Sequence, residues 1–165
     1  HGSEPRLAEI LADNVIDTAD SEGWQPDTVV VVDHGSPLPA VTAVRAAAAE
    51  SLRTRLPDTI RLEQAVMERR SGRNYDFNGR LLEEVLNEIG ENGGGRVALA
   101  MLFLSPGRHA GPGGDIEEIC HAAMARYEGL HVVASRLVGD HPMLLEILAD
   151  RLAVCRTGSR SFSAA

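Results

Sequence analysis

The chain has 165 residues, 44% hydrophobic and 24% charged, the balance of one folded domain with a sizeable core and not of a disordered chain. A formal net charge of -8 disfavours unspecific binding to nucleic acid or anionic membrane, so an anionic ligand would have to meet a local basic patch. No apolar run approaches the ~20 residues of a membrane span and no charged-then-apolar leader pattern is read, so a cytoplasmic protein is the expectation.

In chain order, His1-Gly2-Ser3 reads as the remnant of an expression tag, and residues 4–25 as an N-terminal helix and linker. Residues 26–156 carry the main domain, and 157–165, small and polar, are expected to fray. Thr28-Val29-Val30-Val31-Val32-Asp33 is β-branched without alternation, the pattern of a strand buried on both faces. Leu38 to Leu56 follows as helix, Ile60 to Met67 as the second strand, and a helix is predicted from Asn78 carrying Leu81, Leu82, Val85, Leu86 and Ile89. Gly93-Gly94-Gly95 ends it, and Val97 to Leu104 is the third strand. A glycine-rich loop through Gly114 leads into a helix from Asp115, its expected N-cap, to Tyr127. Leu130 to Ser135 is the fourth strand and His141 to Val154 the last helix. Cys120 and Cys155 lie far apart with no metal or redox spacing, and both are expected to be buried.

Strands alternating with helices imply an α/β fold, a mostly parallel four-stranded sheet with helices on both faces. Ligands of such sheets bind outside the carboxyl ends of the strands, which selects the loops holding His34, Glu68, His109 and His141. His121 falls inside a helix and His131 at the opposite edge. Imidazole both ligates metals and accepts protons near neutral pH. Two histidines with a carboxylate would hold a divalent ion without caging it, whereas a closed thiolate site would not release it. Asp33, next to His34, is positioned by sequence to orient that imidazole.

Val31-Val32-Asp33-His34-Gly35-Ser36, Met67-Glu68, Phe103-Leu104-Ser105-Pro106-Gly107-Arg108-His109, Asp115-Ile116, Gly139-Asp140-His141-Pro142 and Asp150-Arg151-Leu152 together resemble the class II chelatases that act on sirohydrochlorin. Their joint order, from residue 28 to about 153, is the specific feature. The resemblance implies a chelatase-like fold and insertion of Co2+ or Fe2+, as metal substrate, into a tetrapyrrole without an organic cofactor. It also implies His34 and His109 as ligand and base, with Glu68 as the site carboxylate. Two departures from the family pattern stand out: Ala110 to Gly114 separate His109 from Asp115-Ile116, and the segment from Arg69 to Gly79 differs. A polycarboxylate substrate calls for arginines, and Arg69, Arg70, Arg73 and Arg108 lie on the ligand-side loops, with Ser36 beside them. The rival expectation is a non-catalytic metal- or tetrapyrrole-binding module that completes or regulates a partner.

Residues 4–13 align with residues 141–150 at seven of ten positions, the shared residues being Pro, Leu, Glu, Ile, Leu, Ala and Asp. The spacing, about one domain, suggests that the first helix closes a preceding chelatase-like domain. The chain is then expected to be the second half of a tandem protein, or to form a homodimer. On that reading the first helix, cut off from its own sheet, would expose Leu7, Ile10, Leu11 and Val15 unless it docks on a neighbour.

Overall fold

The computed structural model describes residues 5–158, so the tag reading of residues 1–3 and residues 159–165 of the tail lie outside the described residues. Strands β1 (Thr28–Asp33), β2 (Arg61–Val66), β3 (Gly95–Met101) and β4 (Leu130–Ala134) form one parallel sheet in the order β2-β1-β3-β4. This order matches the start of a doubly wound fold, as the α/β reading requires. The register runs from Thr28 opposite Arg61 to Asp33 opposite Val66, and Val32 opposite Met101, so the strands end together at one edge.

Six consecutive buried residues in β1 explain the absence of alternation: the strand is central and covered on both sides. Val30 and Val32 join Val97, Leu99 and Met101 under helices α3 (Leu82–Glu91) and α4 (Asp115–Arg126). Val29 and Val31 join Ala98 and Ala100 under α1 (Pro5–Glu22) and α2 (Pro39–Arg53). Each large aliphatic side chain so buried contributes about 1.5–3 kcal/mol relative to exposure, before the entropy of ordering it is subtracted.

Three expectations need correction. The first helix does not expose its stripe, because Ile10, Leu11 and Val15 are buried on this chain's own sheet and Leu7 packs against the same core. The helix expected from Asn78 starts at Leu82 instead; Arg73–Asn78 forms a 3-10 turn that ends at Gly79, whose φ of 80° breaks the helical path. Glu84 then accepts the Leu81 N–H at 2.8 Å, which supplies the helix start. Of the cysteines, Cys120 is buried and its thiol is pushed up to about 12, by desolvation first and the Glu117 charge second, but Cys155 is exposed on α5 (Met143–Gly158). No helix among the described residues is long and apolar enough to cross a membrane.

Candidate metal centre

Beyond the last paired residues, the ladder between β1 and β2 continues into the loops: Met67 N–H donates to Asp33 O at 3.0 Å and Glu68 N–H to His34 O at 3.1 Å. The backbones of His34 and Glu68 are thereby locked side by side. Gly35 permits the approach, since it sits at φ 89° and a Cβ there would lie 2.0 Å from the Glu68 carbonyl oxygen.

His109 arrives from the loop after β3. The residues from Ala110 to Gly114 fold back on themselves through Gly111 N–H to Gly107 O and Gly114 N–H to Gly111 O, both 2.9 Å. The chain then returns with Asp115 N–H on Arg108 O and Ile116 N–H on His109 O. The extra residues thus form a closed turn that brings Asp115 back against His109. Gly114 is the N-cap of α4; Asp115 is its first residue and its carboxylate is turned to His109 Nδ1 at 2.7 Å. That corrects the capping role expected for Asp115. A carboxylate on Nδ1 holds the proton there and leaves the Nε2 lone pair to face outward.

Three predicted ligands meet. His34 Nε2 lies 3.4 Å from Glu68 Oε1, His109 Nε2 lies 3.7 Å from the same oxygen, and the three donor atoms all fall within 4.8 Å of one another. Donors ~2.1 Å from a shared tetrahedral ion would be roughly 3.4 Å apart, so the set fits a divalent cation with little movement. The imidazole rings meet edge to face, 4.6 Å between centroids. His109 is buried, whereas His34 and Glu68 are exposed, so the cluster has one anchored and two accessible donors. Two cavities of about 340 Å³ open on it, one beside Pro106 and Arg108, the other beside Ser36, Arg69 and Arg70. A larger, mainly apolar cavity of about 480 Å³ between α4 and β4 shares only His109 with the cluster.

His141 does not join the cluster; its Nε2 faces Asp13 of α1 at 3.5 Å and its Nδ1 accepts the Met143 N–H at the start of α5. Asp33 does not touch the His34 ring, because its Oδ1 accepts Gly35 N–H at 3.1 Å and Arg45 Nη1 at 2.8 Å. Ser36 is held by its backbone through Asn78, and its hydroxyl accepts Leu38 N–H. All four arginines are exposed: Arg69 donates to Gly79 O, Arg70 lies over the Tyr75 ring, and Arg108 pairs with Asp115. Arg73 opens the 3-10 turn and lines neither cavity on the cluster. Asn78, Arg45 and the Asp115 contact to His109 were not read from sequence; for Asp115 the Asp-Ile pair was the available signal, while Asn78 and Arg45 carried none.

No curated protein matches the chain. The structure of SirB from Bacillus subtilis with Fe3+ matches with a TM-score of 0.66 at 18% identity, over 93% of this chain and 56% of SirB, which establishes a shared fold. The chain therefore spans about half the length of SirB. The CbiX family model matches residues 28–155, a span that includes every donor of the cluster and the whole sheet, and by that match the chain belongs to the CbiX family of class II chelatases.

Proposed function

We propose that the cluster passes a divalent cobalt or iron ion to the nitrogens of sirohydrochlorin or a related tetrapyrrole, a step of cobalamin or siroheme biosynthesis. The observation that carries this reading is the meeting of His34, Glu68 and His109 within 4.8 Å at the carboxyl edge of the sheet, in a chain of the CbiX family. Three protein donors leave coordination positions open, so a pyrrole nitrogen can bind before the protein lets go. Insertion breaks two pyrrole N–H bonds and forms metal–nitrogen bonds. The imidazole lone pairs that held the ion are freed as it leaves, and they take the two protons. Asp115, 2.7 Å from His109 Nδ1, stabilises the imidazolium so formed. Exposed Arg69, Arg70 and Arg108 at the mouths of the two cavities supply the positive charge that a polycarboxylate needs against a net charge of -8.

The test follows the absorbance change of sirohydrochlorin mixed with Co2+ or Fe2+, with and without protein. His34→Ala and His109→Ala should each slow insertion by ~10²–10⁴. The exposed His121 and His131 serve as controls, and their alanine variants should insert metal at the parent rate. Parent-like rates in both cluster variants would remove the catalytic assignment. A protein that binds the metal without accelerating the absorbance change is the non-catalytic module instead.

The seven-of-ten repeat also supports a second half of the same fold, as a tandem domain or a second copy of this chain, completing the substrate cleft. Its physical support is α5: Leu145, Leu148 and Leu152 are 72%, 54% and 61% exposed, while the corresponding Ala8, Leu11 and Val15 of α1 are buried on a sheet.

A further inference from the structure

The two imidazoles of the cluster are aimed by different means. His109 is aimed through its own second nitrogen, which Asp115 holds. His34 has no such hydrogen-bond partner among the described residues; its ring pairs with Glu68 and with the edge of His109, both members of the cluster. The fold outside the cluster therefore acts on His34 through the backbone that carries its side chain.

That backbone is held on three sides. Glu68 N–H donates to His34 O, and Asp33 Oδ1 accepts the Gly35 N–H. On the third side Asn78 pairs with both backbone groups of Ser36, accepting its N–H on Oδ1 at 3.0 Å and donating Nδ2 to its carbonyl at 2.9 Å. A primary amide matched to both groups of one residue replaces a rung of sheet where no strand is present. Asn78 is 1% exposed and is itself fixed: Nδ2 also donates to Tyr75 O, and its own carbonyl accepts Arg45 Nη2 at 2.7 Å.

Arg45 closes the circuit from α2. Its guanidinium is buried, donates Nη1 to Asp33 Oδ1 at 2.8 Å and Nε to Gln64 Oε1 at 3.2 Å, and so ties together the two residues that grip the His34 loop. Desolvation offsets most of what a buried ion pair gains, so such a pair yields geometry more than stability. Lysine could not serve all three acceptors at once, because it lacks the planar fork.

We infer that Asn78 and Arg45 are positioning residues for His34, holding the His34–Ser36 backbone so that Nε2 faces the shared metal position. The inference rests on the reading of the cluster as a metal centre. It separates the two ligands functionally: His109 depends on Asp115, His34 on the Asn78–Arg45 clamp.

The experiment titrates the 165-residue chain with Co2+ alone, following the visible absorption of the bound ion, in the parent, Asn78→Ala, Asn78→Asp, Arg45→Lys, His34→Ala and the double variant Asn78→Ala/His34→Ala. Asn78→Ala should weaken Co2+ binding by ~10–100-fold, as loss of an outer partner of a ligand does. It should also lower kcat for insertion while leaving KM for the tetrapyrrole near the parent value. Asn78→Asp keeps the acceptor for the Ser36 N–H but loses the donor, and Arg45→Lys keeps only the charge, so both should fall between. In the His34→Ala background the Asn78→Ala change should add little further loss, because its effect runs through His34. A parent-like affinity in Asn78→Ala, or the same loss with and without His34, would overturn the inference; if Asn78→Ala fails to fold, Asn78→Asp with and without His34 decides by the same comparison. If the parent chain binds no Co2+, or His34→Ala binds it as tightly as the parent, the metal-centre reading itself fails and this inference falls with it.

Discussion

Asp115 shows how one residue can aim the ring of a histidine. Its carboxylate lies 2.7 Å from His109 Nδ1 and also forms an ion pair with Arg108 Nε at 3.2 Å, so the carboxylate is placed before any metal arrives. Removing it should free the ring to flip and to change tautomer. Asp115→Ala is expected to weaken Co2+ binding by ~10–100-fold, measured by calorimetric titration of the chain with the metal. Its effect on stability should be moderate, about 1–3 kcal/mol for leaving the buried His109 Nδ1 without its partner and about 0.3–1 kcal/mol for the lost helix-dipole interaction at the first residue of α4. A large fall in melting temperature with unchanged affinity would assign Asp115 to the fold and not to the ligand.

At the scale of elements, the informative comparison is between α1 and α5, which share their opening sequence and differ in surroundings. Leu11 in α1 is fully buried over β1 and β3, while its counterpart Leu148 in α5 is 54% exposed. Leu11→Ala should therefore cost about 2–5 kcal/mol, and Leu148→Ala about 0.5 kcal/mol or less in the isolated chain. Urea denaturation of the two variants checks this directly; equal losses would mean that α5 is covered in solution. The same comparison locates the error in the reading of the first helix. Its amphipathic stripe was legible, but which sheet the stripe covers is a tertiary matter, and the seat lined by Val29, Val31, Ala98 and Ala100 is this chain's own.

For the molecule as a whole, the exposed face of α5 is where the proposed second half of the fold would dock. Leu145, Leu148 and Leu152 recur at spacings of three and four, the seam along which helices pack. If that neighbour is a second copy, sedimentation across a concentration series should show a dimer, and Leu148→Glu should return it to monomer and lose the concentration-dependent part of its melting temperature. A monomer at every concentration would remove the second copy. The tandem alternative predicts that the full gene encodes another strand–helix set before residue 4; a gene starting within a few residues of that position would remove it.

What could be read from the residues alone was whatever a short stretch of chain decides. The unbroken apolar run of β1 reports burial on both faces, the strand–helix alternation implies a parallel sheet, and parallel strands bring their carboxyl-end loops to one edge. Those three steps reach His34, Glu68, His109 and His141 together, and the family resemblance narrows them to the first three. Tertiary structure decided everything that depends on a partner distant in sequence. His141 sits at the expected edge yet turns to Asp13 of α1, because a side chain's direction depends on what packs against it. Asp33 is next to His34 in sequence but bonds Arg45, since successive strand residues point to opposite faces and the guanidinium waits on one of them. Asn78 looked like the start of a helix, and only the fold brings its amide to Ser36, forty-two residues away, where it can hold the loop that aims a ligand.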